Sequence, residues 1–263
     1  MELEEKVVVI TGSGSGIGEA CAKRFAAEGA KVVVTDIDAA GVARVTEAIG
    51  SVGVAADLTV ESEVRAVARL ARLTYGEIDL WFSNAGISGP RQPGELQDDP
   101  TWERLWRLHV MAHVHATREV LPAMLARGSG YLLHTASVVA LSTQMDKVAY
   151  SVTKHAALAL SEWLAATYGP KGIKVSCFCP GPMLTPMLLS NDFPPDHPVL
   201  KLALTPEQVA DLLVRAIGEE RFLILDSESG LDALRAKVSD YDQWLAGMGS
   251  GFAAMVAAEG PEQ

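Results

Sequence analysis

The sequence predicts an α/β fold in which a doubly wound parallel sheet carries helices on both faces. Short apolar runs, typical of strands that are buried on both sides, alternate with longer segments whose apolar residues recur at helical spacing. A glycine-rich loop stands between the first run and the first helical segment. No change of composition marks a second domain, so residues 1–263 are predicted to form a single domain.

The first predicted strand and helix flank the glycine-rich loop. The apolar run Val7–Ile10 leads into the pattern T-G-x-x-x-G-x-G, which is formed by Thr11, Gly12, Gly16 and Gly18. Glycines allow the backbone to approach phosphates closely, and the N-terminal dipole of the following helix favours negative charge. The loop is therefore predicted to bind a dinucleotide pyrophosphate, with a plain glycine-rich turn as the alternative.

Asp36 stands at the end of the second predicted strand, Lys31–Thr35. An acidic side chain at this place can accept hydrogen bonds from both hydroxyls of an adenosine ribose, and it would repel a 2′-phosphate. The next basic residue along the chain is Arg44. NAD is therefore favoured over NADP as the cofactor. A solvated aspartate beside the helix that starts near Asp38 is the alternative.

Polar residues follow two further strands. Asp57 and Leu58 come after one of them, and Asn84 comes after the other. Because the carboxyl ends of parallel strands meet at one edge of a sheet, these residues are expected near the glycine loop. The predicted elements in this part of the chain are helix 39–49, strand 52–56, helix 60–75 and strand 78–82.

A long helix is predicted from Pro100 to about Arg127, and it carries three histidines, His109, His113 and His115. His109 and His113 are one helical turn apart, which makes a metal site conceivable. No acidic or cysteine ligand accompanies them at metal-binding spacing. Packed or interfacial histidines are therefore expected, and no metal site is predicted.

Ser137 directly follows the predicted strand 130–136. Tyr150 and Lys154 lie in a helix predicted over 148–168, and because they are four residues apart they share one face of it. The remaining predicted strands are 173–178 and 221–225, with a helix that is capped by Thr205 between them.

Together these motifs resemble those of the short-chain dehydrogenase/reductase family over about residues 5–225. The motifs are Thr11-Gly-x-x-x-Gly-Ile-Gly18, Asp57, Asn84-Ala-Gly86, Ser137, Tyr150-x-x-x-Lys154, and Pro180-Gly181 with Thr185. The resemblance implies a Rossmann-type sheet of seven parallel strands, a homotetramer or dimer, and an oxidoreductase that transfers a hydride between NAD(H) and a secondary alcohol or ketone.

The resemblance also implies which residues bind the cofactor. The pyrophosphate loop would comprise Gly12, Ser15, Gly16, Ile17 and Gly18, the ribose acid would be Asp36, and the adenine pair would be Asp57 and Leu58. The turn beside the cofactor would comprise Asn84, Ala85 and Gly86, and the nicotinamide end would be held by Tyr150, Lys154, Pro180, Gly181, Met183 and Thr185.

The implied catalytic residues are Ser137, Tyr150 and Lys154. The cofactor carries the hydride, so the protein must move a proton on or off the substrate oxygen. A free tyrosine has a pKa near ~10, and the Lys154 ammonium with the nicotinamide ring is expected to lower the pKa of Tyr150 toward the working range. Ser137 would donate a hydrogen bond to the substrate oxygen. A half-buried core tyrosine is the alternative for Tyr150.

One position departs from the family pattern. Alignment on Trp102 and on Leu121-Pro122 places His109 where many members have an asparagine in the long helix. That asparagine keeps a break in the helix, and its backbone carbonyl holds a water near the lysine. A backbone carbonyl is present at His109 as well, so reduced or altered proton transfer is expected rather than a complete loss of activity.

Residues 183–204 stand where the family has its substrate lid. This segment is rich in Met, Leu, Phe and Val, and its one basic residue is Lys201. Such a lid predicts a lipophilic substrate and argues against phosphorylated or carboxylated ones; packing on the body of the fold or on another subunit is the alternative. A helical extension is predicted over about 228–248, against the sheet or a neighbouring subunit, followed by a mobile tail, 249–263.

The bulk composition excludes several other classes. The net charge is −11, with no basic patch, so nucleic acid is not an expected partner. No run approaches the ~18 apolar residues of a membrane helix, and the acidic N-terminus does not resemble a signal peptide. Cys21, Cys177 and Cys179 lack metal-binding spacing, and buried reduced thiols in a cytoplasmic protein are expected.

Three alternatives to an NAD-dependent dehydrogenase stay open at this stage. A cofactor-binding regulator could keep the glycine loop and lose the chemistry. A ketoacyl-type reductase would use NADP instead of NAD. A structural or interaction protein would have no need of Asp36, Asn84, Tyr150 and Lys154 together.

Overall fold

The computed structural model describes residues 1–92, 95–191 and 193–259. Within these residues seven strands form one sheet, and every pair of neighbouring strands is parallel. The strands are β1 Val7–Thr11, β2 Lys31–Asp36, β3 Val52–Ala55, β4 Leu80–Ser83, β5 Gly130–Thr135, β6 Ile173–Phe178 and β7 Leu223–Ile224. The predicted α/β fold class is confirmed.

Helices connect the strands and continue beyond the last one. They are α1 Gly16–Ala27, α2 Ala39–Ile49, α3 Glu61–Tyr75, α4 Asp99–Trp106, α5 Ala112–Arg127, α6 Val148–Tyr168, α7 Pro186–Leu189, α8 Pro198–Leu202, α9 Pro206–Gly218, α10 Ser229–Ser239 and α11 Tyr241–Glu259. Thr205 caps α9 as predicted: its side chain accepts from the backbone N–H of Gln208, whose side chain accepts from the Thr205 N–H.

The sheet is buried on both faces because alternate residues of each strand point to opposite sides. Val8 and Ile10 of β1 belong to a core that also contains apolar residues of α1, α2 and α9. Val7 and Val9 belong to a second core, with residues of α3, α5 and α6. Both faces are therefore covered by helices, which is why the strands are continuous apolar runs rather than alternating ones.

The strand order is β3-β2-β1-β4-β5-β6-β7. Strands are added to one side of β1 up to β3, and the chain then crosses to the other side of β1 to start β4. In open parallel sheets the crevice beside such a reversal, at the carboxyl ends of the strands, is where ligands bind. The loops that follow β1 and β4 meet at this point.

Two predicted helices are interrupted in the structure. The helix predicted over 100–127 contains a π-helical turn, Arg107–Met111, between α4 and α5. The extension predicted as one helix over about 228–248 consists of two helices, because α10 and α11 are separated at Asp240, whose backbone is extended. Helix α11 continues to Glu259 and so covers residues 249–259 of the predicted tail. Residues 260–263 lie outside the described residues.

None of the helices in the described part of the chain has the length and apolar character needed to cross a membrane. The three cysteines are buried and form no disulfide, and the sulfur atoms of Cys177 and Cys179 are 3.9 Å apart.

Candidate active site

A cavity of about 1190 Å³ lies at the carboxyl edge of the sheet. It brings together the sequence-predicted site residues from every part of the chain, with the exception of Gly18. The predicted residues that line it are Gly12, Ser15, Gly16, Ile17, Asp36, Asp57, Leu58, Asn84, Ala85, Gly86, Ser137, Tyr150, Lys154, Pro180, Gly181, Met183 and Thr185.

The glycine loop packs tightly against the turn after β4. Gly12 has a φ of +64°, and a Cβ atom there would lie 2.8 Å from the Cα of Ala85. Gly18 lies behind the loop, since a Cβ on it would lie 2.1 Å from the carbonyl oxygen of Gly12. Gly18 therefore contributes to the loop by allowing α1 to pack against it, and its assignment to the pyrophosphate loop stays a prediction.

The N-terminus of α1 points into the cavity. Its N-cap, Ser15, makes no side-chain hydrogen bond to the first turn, so the N–H groups of that turn have no side-chain cap. Gly16 has a φ of +54°, and a Cβ on it would approach the Thr185 side chain to 3.3 Å. The residues present therefore fit a phosphate group, because the loop is open to the cavity, the turn requires glycine and the helix dipole favours an anion.

Asp36 is held at the rim of this loop. Its carboxylate accepts hydrogen bonds from the backbone N–H groups of Gly14, at 2.9 Å, and Asp38, at 3.0 Å. Arg44 lies on the other side of the loop, where it donates to the carbonyl of Gly14 at 2.8 Å and pairs with Glu19 at 2.5 Å. An acid and a paired arginine therefore flank the place where the ribose of a dinucleotide would lie.

The turn after β4 is fixed to β1 through Thr11. The backbone N–H groups of Asn84 and Ala85 donate to the Thr11 hydroxyl at 2.8 and 3.0 Å, and the Asn84 amide donates to the Thr11 carbonyl at 3.0 Å. The Asn84 oxygen accepts from the hydroxyl of Thr135 at 3.3 Å. Asn84 therefore joins three strands at the edge where the cavity opens.

Lys154 is buried beneath Tyr150. Its ammonium nitrogen donates to the carbonyl of Thr135 at 3.1 Å and lies 5.6 Å from the centroid of the Tyr150 ring. Burial lowers the pKa of Lys154 to about 8, partly offset by attraction to Cys177 and Cys179. The predicted pairing of phenol and ammonium on one face of α6 is present.

Burial raises the pKa of Tyr150 above its ordinary value, and the hydrogen bond with Ser137 offsets only part of that effect. The Lys154 ammonium donates to the Thr135 carbonyl and faces the Tyr150 ring rather than bonding to the hydroxyl, so burial outweighs its effect on the pKa. The phenol of the protein is therefore protonated near neutral pH. The predicted lowering of the pKa of Tyr150 by Lys154 and the nicotinamide ring together stays a prediction.

Ser137 stands between the tyrosine and the segment that follows β6. Its hydroxyl donates to the Pro180 carbonyl at 3.4 Å and accepts from the backbone N–H of Val139 at 3.2 Å. On the far side of that segment, the backbone N–H of Gly181 donates to Asp226 at 3.3 Å. These bonds hold the Ser137 hydroxyl and the Pro180–Gly181 backbone at one wall of the cavity.

His109 is fully buried in the π-helical turn, next to the catalytic candidates. Its ring packs edge-on against the Tyr150 ring, with centroids 5.6 Å apart. Burial lowers its pKa well below the usual range, and the charge of Lys154 lowers it further. The neutral imidazole accepts at Nε2 from the backbone N–H of Ile87 at 3.1 Å, so its proton resides on Nδ1.

His113 lies apart from His109, against His134, with the two ring centroids 4.7 Å apart. His134 in turn bonds at Nδ1 to the Ser161 hydroxyl at 2.9 Å. Across the described ranges of the chain, no group of three or more potential metal-binding side chains is assembled.

Several cavity residues were missed by the analysis of the sequence. Basic and acidic side chains from outside the lid also line the cavity: Arg91, Glu103, Arg104, Arg107, Asp146 and Lys147. Sequence spacing indicates no common site for these residues. Arg91 lies in the long loop, Glu103 and Arg104 lie in α4, Arg107 begins the π-helical turn, and Asp146 and Lys147 directly precede α6.

Known proteins resemble this chain in sequence and in fold. The family model described as short chain dehydrogenase matches residues 6–192. The 1-deoxy-11-beta-hydroxypentalenate dehydrogenase of Streptomyces exfoliatus is 33% identical over 91% of this chain and 90% of its own length. The cyclohexanol dehydrogenase of Acinetobacter sp. (strain SE19) is 30% identical over 88% of this chain and 95% of its own length.

A solved structure agrees with these relatives. The short chain dehydrogenase/reductase from Burkholderia phymatum in complex with NAD superposes with a TM-score of 0.82 and 29% identity, over 92% of this chain and 96% of that one. The matched family model covers the glycine loop, the Asn84 turn, Ser137, Tyr150 and Lys154. This protein is a member of the short-chain dehydrogenase/reductase family.

Proposed function

We propose that this protein transfers a hydride between NAD(H) and a secondary alcohol or ketone whose body is apolar. The observation that carries the proposal is that Ser137, Tyr150 and Lys154 line the same cavity as the glycine loop and Asp36. One cavity therefore offers a phosphate cradle, an acid at the ribose end and a proton-transfer group at the other end.

The residues of the chain have distinct tasks in this reaction. Tyr150 gives a proton to the carbonyl oxygen during reduction, or takes one from the hydroxyl during oxidation. Ser137 donates a hydrogen bond to the same oxygen and steadies the charge that develops there. The bound nicotinamide supplies or accepts the hydride. Lys154 lies beneath the phenol and contributes the positive charge that favours the phenolate during oxidation.

NAD is the proposed cofactor rather than NADP. The Asp36 carboxylate at the loop would repel a 2′-phosphate and accept from ribose hydroxyls. The nearby basic group, Arg44, forms an ion pair with the Glu19 carboxylate. This pairing lowers the pKa of Glu19 to about 2, so both partners are charged at neutral pH and neutralise each other. In the described part of the chain, Arg44 bonds to Glu19 and to the Gly14 carbonyl rather than to Asp36, which leaves the Asp36 carboxylate available to a ribose.

An apolar substrate body is supported by the lid, 183–204. Several lid side chains line the cavity, and they are Met183, Met187, Leu188, Phe193 and Val199. Met183 is buried, whereas Met187 is exposed and Leu188 and Phe193 are half-buried. Partly exposed apolar side chains at a cavity gain burial when an apolar ligand binds. The relatives named for cyclohexanol and for 1-deoxy-11-beta-hydroxypentalenate support the same substrate class.

The decisive experiment compares the wild type with Tyr150→Phe. With NAD and cyclohexanol, the rise of the reduced-nicotinamide absorbance is expected to slow by about 10²- to 10⁴-fold in the variant, because proton transfer is lost. NADH binding, measured by fluorescence, should persist. Tyr168→Phe is the matched control, since Tyr168 ends the same helix, packs against Trp163 and does not line the cavity.

Other outcomes identify the alternatives. Binding of NADH without turnover of any secondary alcohol or ketone, in either protein, would favour a cofactor-binding regulator. Turnover with NADP alone would favour a ketoacyl-type reductase. A failure to bind either dinucleotide would contradict the proposal and leave only a scaffold role.

The proposal extends to assembly and location. We propose a homo-oligomer, supported by apolar side chains that α10 and α11 leave in solvent: Val238 is 68%, Tyr241 51% and Leu245 51% exposed. A cytoplasmic location is proposed as well, because the three cysteines are free thiols. Size-exclusion chromatography with light scattering tests the first of these proposals.

A further inference from the structure

Lys147 is a buried cation in the wall of the cavity. Its residue is only 7% exposed, it stands directly before the first residue of α6, and it lines the same cavity as Tyr150. Burial lowers the pKa of Lys147, while the charge of Asp146 acts in the opposite direction. A lysine that is nine-tenths buried is rare in proteins unless an anion compensates it.

The partner of Lys147 is neutral. Its ammonium group donates to the hydroxyl of Ser88, and the described residues place no carboxylate within ion-pair distance of it. The adjacent acid, Asp146, is engaged by Arg91, whose Nε lies 2.5 Å from a carboxylate oxygen. One neutral hydroxyl leaves two of the three ammonium hydrogens for another acceptor.

Basic side chains outnumber acidic ones among the described lining residues from 88 to 147. Arg91, Arg104, Arg107 and Lys147 are basic, whereas Glu103 and Asp146 are acidic. Arg91 pairs with Asp146, and Arg107 pairs with Glu103 at 3.3 Å. These basic residues belong to a protein whose net charge is −11, so they are a feature of this part of the cavity rather than of the whole surface.

We propose that Lys147 binds a carboxylate on the substrate, so that the substrate is a hydroxy acid or keto acid with an apolar body. This inference rests on the proposed function, since it places the substrate carbon beside Tyr150. Lys147 directly precedes α6 and Tyr150 lies in the first turn of that helix, and both side chains line the same cavity. A substrate with its carboxylate on the ring that carries the reacting carbon is therefore the expected shape. The prediction from the lid that carboxylated substrates are excluded is revised accordingly, because it ignored the wall formed outside the lid.

The test uses three probe alcohols with NAD: 3-hydroxycyclohexanecarboxylate, its methyl ester and cyclohexanol. The wild type is expected to show a higher kcat/KM for the acid than for the ester. In Lys147→Met the ratio of kcat/KM for acid over ester should fall at least about tenfold, because a hydrogen bond to a charged group is lost. Lys201→Met is the matched control, an exposed lid lysine that does not line the cavity, and its ratio should equal that of the wild type.

A second measurement does not depend on turnover. Cyclohexanecarboxylate should bind the NADH-loaded wild type in a calorimetric titration and bind Lys147→Met at least about tenfold more weakly. Lys147→Gln, which can keep the contact with Ser88, replaces the methionine variant if that variant melts early. A ratio or an affinity that is unchanged in these variants would overturn the proposal. Failure of all three alcohols with NAD would instead count against the proposed function, and the titration would still decide the role of Lys147.

Discussion

Nδ1 of His109 lies 3.0 Å from the Thr153 hydroxyl, which donates in turn to the backbone carbonyl of Tyr150 at 3.0 Å. With the bond from the Ile87 N–H to Nε2, this makes a directed chain of hydrogen bonds from the loop after β4 to the backbone of Tyr150. Each donor in the chain has one acceptor, so the neutral imidazole is fully satisfied. Through these hydrogen bonds the buried His109 side chain links the loop after β4 to α6.

Replacement of His109 by asparagine should reduce turnover by no more than roughly tenfold (about 1.4 kcal/mol). Asparagine can keep one of the two hydrogen bonds, and the backbone carbonyl of the π-helical turn remains. Steady-state kinetics with NAD and cyclohexanol measures the change, and Thr153→Val, which interrupts the same chain elsewhere, provides the comparison. A loss greater than about a hundredfold in His109→Asn alone would show that the imidazole has a catalytic role of its own.

Much of the fold could be predicted because both periodicities are clear in the sequence. The buried strands are uninterrupted apolar runs, and α6, which was predicted over 148–168, is observed as Val148–Tyr168. The convergence of Asp36, Asn84 and Ser137 on one cavity was predictable because the carboxyl ends of parallel strands share one edge of the sheet.

The features that escaped prediction depend on tertiary contacts. The break between α10 and α11 lies at Asp240. No glycine or proline, which would indicate the end of a helix, stands at this position in the sequence. The raised pKa of Tyr150 comes from burial, which spacing on a helix does not report. The basic wall of the cavity joins Lys147 to residues more than forty positions away in sequence, such as Arg104.

Asp36 and Arg44 should together determine the preference for NAD. In Asp36→Ser the repulsive charge is removed while an acceptor for the Gly14 N–H is kept, so the ratio of kcat/KM for NADP over NAD should rise about tenfold or more. Addition of Glu19→Gln, which weakens the hold on Arg44, should raise the ratio further. Asp38→Ser is the control, because it removes a nearby charge from the N-cap of α2. A wild-type preference for NADP would refute the role of Asp36.

The pH dependence should differ between the two directions of the reaction. Because burial raises the pKa of Tyr150, the phenol is the form present at neutral pH, and it is ready to donate a proton in ketone reduction. Oxidation needs the phenolate, so kcat/KM for alcohol oxidation should rise with pH through the alkaline range. Above about pH 8 Lys154 loses its charge, which makes the Tyr150 phenol a weaker acid, so reduction should fall in that range. Initial rates in both directions across the pH range check this, and an oxidation rate that is greatest in acid would contradict it.

Acid should destabilise the fold through its buried histidines. Burial lowers the pKa of His134 from 6.5 to about 4, and it lowers those of His109 and His113 as well. Between about pH 6.5 and pH 4, His134 is therefore protonated in the unfolded chain but neutral in the folded protein. The free energy of unfolding has its full value above pH 6.5 and falls as the pH drops through this window. For His134 alone the loss is on the order of 2 kcal/mol by about pH 5.

Urea unfolding at several pH values measures this loss as the free energy of unfolding. His134→Gln cannot titrate but can keep a hydrogen bond to Ser161, so the fall in stability between about pH 6.5 and pH 5 should be smaller than in the wild type by a similar amount, on the order of 2 kcal/mol. Ser161→Ala removes the partner and leaves the titrating ring buried, so it should keep the steep dependence of the wild type. If the free energy of unfolding depends equally on pH in His134→Gln and in the wild type, the His134 ring must bind its proton equally well in the folded and unfolded states. The ring would then be charged within the core, which contradicts the prediction.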